Sequence, residues 1–109
     1  IGSERLSSEL RALIEEVNDD GVKMHLNYAY DDPKDPNQYY YRSDHYNYAK
    51  HGIPIVFFFD DMRRDYHRPT DTVDKIDFEK IRKVAALASG VVERAANMDH
   101  KLLVDRNGE

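Results

Sequence analysis

The tightest constraint in this chain is the run Ile53-Pro54-Ile55-Val56-Phe57-Phe58-Phe59, seven residues without one polar side chain. A half-exposed strand alternates apolar and polar residues, and this run does not. It therefore predicts an extended segment with both faces covered, as in a parallel or mixed α/β sheet. Pro54 falls at its start, where a missing N–H is tolerated. Whatever else the chain forms must supply two covering layers. With 109 residues, it has material for one small domain, spanning 1–109.

Two segments have the helical spacing such layers need. Leu6, Leu10, Leu13, Ile14 and Val17 fall on one face of a helix over about 3–18. Ser3 is its expected cap and Asp19-Asp20-Gly21 its exit. Ile81, Val84, Ala85, Ala88, Val91, Val92 and Ala95 form the apolar face of a longer helix ending near Asn97. Asp77 is its cap, and Ile76 and Ile81 are spaced as a hydrophobic staple. Gly90 interrupts this helix at a cost of roughly 1 kcal/mol against Ala, which close packing against a neighbour would explain.

Between the helices, Met24, Leu26, Tyr28 and Tyr30 alternate with His25, Asn27 and Ala29, the pattern of a strand with one buried face. Pro33 and Pro36 make 31–38 a loop. Ser43 is placed to cap a short helix that Gly52 closes. Leu102 to Val104 offers a further short strand or a packed tail. The expected fold is α/β: a partial three-layer α/β/α sandwich with a mixed sheet.

The composition excludes several functions. A net charge of −5, from 16 basic and 21 acidic residues, argues against nucleic acid as a partner. No apolar run approaches the roughly 20 residues of a membrane span, so no membrane partner is expected. Cysteine is absent, so any metal must be held by His, Asp or Glu.

Chemistry is expected in the polar loop after Phe59, since ligands in open α/β sheets bind beyond the carboxyl ends of strands. That loop carries Asp60, Asp61, Asp65, His67, Asp71 and Asp74. Read from spacing alone, His67 is a loop histidine with no ligand rather than a metal ligand, because no second histidine lies at helical or hairpin spacing. The aspartates alone read as caps and turn formers.

Three segments add to this reading. Tyr40-Tyr41-Arg42-Ser43-Asp44-His45, then Gly52-Ile53-Pro54, then Asp65-Tyr66-His67-Arg68-Pro69-Thr70-Asp71-Thr72 closely resemble the co-catalytic di-zinc aminopeptidases of metallopeptidase family 28. The resemblance covers nearly the whole chain and places it in the C-terminal part of such a peptidase. It implies a three-layer α/β fold, zinc, and hydrolysis of N-terminal residues from peptides. It implies that His67 is the family's last zinc ligand. It further implies that Tyr40 is the tyrosine that stabilises the tetrahedral oxyanion, a role suited to a phenol donor. Asp44, Asp65 and Asp71 would support the site, and His45 would be packed or hydrogen-bonded rather than metal-bound. A periplasmic or secreted location is suggested by the resemblance alone.

The family's other ligands, a His-x-Asp pair, a Glu-Glu pair whose first member is the general base, and a further Asp, have no counterpart. Glu15-Glu16 falls on the first helix and reads as a solvated face. Inside the site loop, Asp61-Met62-Arg63-Arg64-Asp65 replaces the family's glycine and His-Glu-Asp. Two readings follow: a portion of a zinc aminopeptidase, inactive alone, or a non-catalytic α/β domain that self-associates. A homo-oligomer is expected in either case, because a sheet of two or three strands leaves edges and apolar surface uncovered. The surface considered for it is the segment from Ile53, with the two helices covering its faces as the monomeric alternative.

Overall fold

The structure is a computed structural model that describes residues 1–61 and 63–109; Met62 lies outside the described residues. Among the described residues three α-helices organise the chain: α1 (Ser8–Asp20), α2 (His45–Ala49) and α3 (Phe78–Ala96). Short 3-10 turns occupy Ala29–Asp31, Tyr39–Tyr41 and Val73–Lys75. Among the described residues no helix is long and apolar enough to cross a membrane.

Helix α1 starts later than its apolar spacing predicts. Ser7, not Ser3, caps it by accepting the Leu10 N–H at 3.2 Å. Ser3 is instead buried, with its hydroxyl unbonded among the described residues. The exit at Gly21 falls as expected. Asp77 caps α3 by accepting the Lys80 N–H at 3.0 Å, also as expected.

The main core forms where α1 lies against α3, with Leu10, Leu13 and Ile14 meeting Leu87 and Val91. Leu87 is among the most buried side chains of the described residues, although the predicted apolar face of α3 omits it. Ile81, Ala85 and Val92, which that face includes, are exposed. Gly90 allows the close approach: a Cβ there would fall 2.7 Å from Val17 Cγ1.

The expected mixed sheet, and with it the α/β sandwich, is corrected by the structure: no strand is present among the described residues. The pattern that suggested strands is nevertheless real. From Val22 to Tyr30, half-buried and exposed residues alternate one by one. In the segment 53–59, Val56 and Phe58 pack on the main core. Ile55 joins the cluster of Leu6, Tyr40 and Ala49, and Phe57 stacks on His45. Both faces are therefore only partly covered, whereas the run was expected to be buried on both; none of its residues is buried and Ile53 is 50% exposed. What is missing is the ladder. The two extended segments line one cavity, and among the described residues no backbone hydrogen bond joins them. A strand is defined by its partner, and side-chain periodicity alone does not supply one. Leu102–Val104 is likewise no strand: Leu102 packs on the main core, as the tail alternative expected, while Leu103 and Val104 are exposed.

Side chains do some of the missing ladder's bonding. Asn18 Nδ2 donates to the Met24 carbonyl at 2.7 Å and its Oδ1 accepts the Met24 N–H at 2.8 Å. The amide group of one buried side chain thus closes the exit of α1 onto the first extended segment. The C-terminal tail is fixed the same way. Asp105 accepts from the Ser8 N–H and hydroxyl at 2.9 and 2.5 Å. His100 bridges Asp99 and Glu9 at 2.6 and 2.7 Å.

Two tests follow. Gly90→Ala gains helix propensity of roughly 1 kcal/mol but drives a methyl into Val17, and overpacking typically costs about 1–3 kcal/mol. Thermal melts should show the single variant destabilised. Val17→Ala should be less harmful in the Gly90→Ala background than alone, and strict additivity of the two changes would contradict this contact. The second test uses pH. Hydrogen bonds to Asp99 and Glu9 raise the pKa of His100 in the folded chain. The stabilisation is therefore complete below the unfolded value, near 6.5, and is lost as pH rises through the folded value. The melting-temperature advantage of the native chain over His100→Gln should be larger at pH 5.5 than at pH 8.5; an equal advantage at both would rule the bridge out.

Candidate functional site

The segment 39–49 is held together by rings. Tyr39–Tyr41 turn as a 3-10 segment, and Tyr40 meets Tyr41 and Tyr46 edge-on at 5.0 and 5.9 Å. Tyr40 is 4% exposed. Gly2 permits its depth: a Cβ at Gly2 would lie 3.0 Å from Tyr40 Cε2 and 2.5 Å from Ile55 Cδ1, and its φ of +84° also favours glycine. Over the ring sits the Arg5 guanidinium, 4.6 Å from the centroid, a cation–π contact. Burial raises the Tyr40 pKa, with Arg5 acting in the opposite direction. The phenol is therefore protonated at neutral pH and is able to donate.

His45 opens α2, and its ring turns inward. Nε2 donates to the Tyr40 carbonyl at 2.7 Å, and the ring stacks on Phe57 at 4.4 Å and 22°. Burial lowers its pKa against the raising effect of that carbonyl, so the neutral form is favoured. A ring that donates Nε2–H to a carbonyl and lies flat on a phenylalanine is occupied as a packing element. Asp44 precedes α2 with its carboxylate exposed and makes no side-chain cap bond. Ser43 is exposed too, and the helix it was expected to cap is restricted to His45–Ala49.

The loop after Phe59 proceeds by turns. Tyr66 N–H donates to Arg63, Arg68 to Asp65 and Asp71 to Arg68, at 3.0, 2.9 and 3.1 Å. His67 occupies the third position of the Asp65–Arg68 turn with φ of +55°, the place where such a turn usually carries glycine. Its imidazole is exposed and stacks on Tyr66 at 3.8 Å. Asp65 is half-buried and bound to Lys75 at 3.1 Å. A Thr70 hydroxyl bond, then Lys75, hold its pKa down. Lys75 also donates to the Thr70 carbonyl at 2.7 Å, so one ammonium braces the loop from the 3-10 turn beside α3. Asp71 is exposed. Arg63 pairs with Asp60 at 3.0 Å.

Of the sequence-predicted residues, Tyr40 lies in the inner cluster, and His67, Asp65 and Asp71 lie on the outer loop. No contact joins the two groups among the described residues. Nor do three His, Asp or Glu side chains converge as a metal cage there. The residues present do not fit a complete dinuclear zinc centre: His67 is one imidazole, and the nearest carboxylate in its turn, Asp65, is taken by Lys75. Spacing gave no signal for Arg5 over Tyr40 or Lys75 on Asp65, because both contacts bring together residues from different elements.

The family model described as Peptidase family M28 matches residues 3–92 of the chain. Nothing matches among curated proteins or among solved structures.

The turn geometry makes a direct prediction. A side chain in the left-handed region costs about 1–2 kcal/mol relative to glycine. In chemical denaturation, His67→Gly should be more stable than His67→Ala by about 1 kcal/mol. A His67→Ala variant equal to or more stable than His67→Gly would mean that the loop does not hold this turn.

Proposed function

The chain belongs to peptidase family M28, a generally zinc-dependent family, and we propose that it is the C-terminal part of a zinc aminopeptidase centre, inactive as these 109 residues alone. In this reading His67 is one metal ligand, Tyr40 is the oxyanion donor, and Asp44, Asp65 and Asp71 support them. The general base and the remaining ligands come from polypeptide outside these residues. The substrate is the N-terminal residue of a peptide, and the location is periplasmic or secreted.

The observation that carries the reading is the family match across 3–92, combined with His67 standing exposed in a strained turn without a polar partner among the described residues. Strained residues concentrate where function holds them. The protonated, deeply set Tyr40 phenol suits a donor to a developing oxyanion. Inactivity is supported by chemistry: a positioned general base alone is worth roughly 10²–10⁴-fold, and no cage of three ligand groups exists among the described residues.

A second reading is a non-catalytic domain that self-associates. Its support is the apolar side of α3, where Phe78, Ile81 and Val92 are 65%, 55% and 68% exposed. A patch of that kind favours association, and a two-fold dimer is the simplest form.

One set of measurements separates the readings. With excess zinc and an amino-acid anilide, the chain should show no turnover. Turnover should appear when the catalytic N-terminal half of a family member is supplied, and His67→Ala should abolish it. Zinc titration of the chain should give an affinity no tighter than about 1 μM, lost in His67→Ala. Turnover by the chain alone that His67→Ala removes would sink the first reading. A concentration-dependent mass in light scattering, with no activity on complementation, would establish the second.

A further inference from the structure

Arg5 is buried without a counter-ion. It is 6% exposed, and its Nε is enclosed with no hydrogen-bond partner among the described residues. No ion pair reaches its guanidinium there either. The adjacent carboxylate, Glu4, is taken by Arg11 and by Arg106, the latter at 2.9 Å. Arginine is almost never fully buried unless paired, and an apolar residue of similar volume is often the more stable occupant of such a place. Packing alone therefore does not account for an arginine at this position.

What the guanidinium does meet is Tyr40. Its central carbon stands over the phenol ring, 4.6 Å from the centroid. Out of water a cation placed over an aromatic face acts more strongly than at the surface. The backbone beneath it is pinned on both sides. The Arg5 N–H donates to the Gly2 carbonyl at 3.2 Å, and the Arg5 carbonyl accepts the Gly108 N–H at 2.8 Å. Leu6, the next residue, packs in the same cluster as Tyr40. Arg5 is thus held firmly enough for its charge to keep one place relative to the ring.

The other titratable groups facing Tyr40 are Tyr41, Tyr46, Asp31 and the His45 ring, 6.2 Å away. Burial raises the Tyr40 pKa most, Arg5 lowers it, and Tyr41, Tyr46 and Asp31 raise it further. Of these groups Arg5 alone is positively charged at alkaline pH. A phenol that gives up its proton more readily is the stronger donor to an oxyanion. We propose that Arg5 is the positioning residue of Tyr40: it fixes the ring from above and strengthens the phenol as a donor to a developing oxyanion, without itself touching substrate. The catalytic part of this rests on the reading of Tyr40 as the oxyanion donor. The coupling of Arg5 to Tyr40 is a property of the chain alone.

The test is fluorine NMR of the full 109-residue chain carrying 3-fluorotyrosine, with Tyr40→Phe identifying the Tyr40 signal among the eight tyrosines. Arg5→Met should move the Tyr40 titration midpoint to higher pH and leave the chain no less stable in thermal melts. Arg5→Lys, which keeps the charge, should restore most of the midpoint. Tyr66 on the outer loop is the internal control and should not move. Should Arg5→Met not fold, Arg5→Gln takes its place and must raise the midpoint. With the catalytic N-terminal half of a family member supplied, Arg5→Met should lower kcat severalfold at unchanged KM, and Arg5→Lys should recover most of it. A Tyr40 midpoint left in place by removal of the charge would overturn the proposal, and with a loss of stability it would make Arg5 a packing residue only. An unchanged kcat in the complemented Arg5→Met chain would overturn it as well. A midpoint that moves, with no turnover from the complemented native chain, would uphold the coupling and strike the peptidase reading instead.

Discussion

Everything in this chain hangs on the contact of α1 with α3. Leu10, Leu13 and Ile14 against Leu87 and Val91 form the one cluster in which five buried apolar residues meet. The contact exists because Gly90 presents no side chain to Val17. Truncating a buried leucine of this kind costs about 2–5 kcal/mol, a large share of the 5–15 kcal/mol that stabilises a whole small domain. Val56 and Phe58 lie on that cluster from one side. The placement of the whole 53–59 segment, and through it of His45 and Tyr40, therefore derives from the helix pair.

From this centre, order is passed outward by polar side chains. Asn18 ties α1 to Met24 through two bonds. Asp105 ties the tail to the start of α1, and Lys75 braces the loop of His67 through Asp65 and the Thr70 carbonyl. The tail is held by backbone bonds as well, from the Asp105 and Arg106 N–H to the Leu6 carbonyl at 3.1 and 3.2 Å and from the Gly108 N–H to the Arg5 carbonyl at 2.8 Å. Side-chain ties hold single points, whereas a ladder holds a line. This is why the molecule keeps its strand-like segments extended and yet leaves a cavity between them.

The legibility of the sequence followed the range of the forces involved. Caps and periodicities are local, and most were readable. Asp77 and Gly21 act at the helix ends as expected, and the alternation from Val22 to Tyr30 appears residue by residue. The apolar run at 53–59 was expected to be buried on both faces and is instead half-buried, with Ile53 50% exposed. The inference from run to sheet failed because pairing is a property of two segments, and the run specifies only one of them. The N-cap slipped from Ser3 to Ser7 for a related reason: Ser3 is drawn into the interior by the fold around Gly2 and Tyr40, which no local pattern encodes. The family was legible from three short motifs and agrees with the match over 3–92. The contacts around the candidate residues, Arg5 over Tyr40 and Lys75 on Asp65, were not, since each joins distant parts of the chain.

The candidate residues fall into two groups that the chain holds in different ways. Tyr40 is set by packing that is complete within this chain: Gly2 behind the ring, Arg5 above it, His45 on its carbonyl. In the proposed reading, a phenol held this way is organised before a substrate arrives, which is the condition for useful stabilisation of a developing charge. His67 is in the opposite state. Its backbone is held in an unfavourable turn, yet its ring reaches only Tyr66. A single imidazole gains affinity for a metal only when other ligands share the ion. In the proposed reading, the turn strain at His67 is repaid only when further ligand groups are brought to it, whereas the packing of Tyr40 is complete among the described residues.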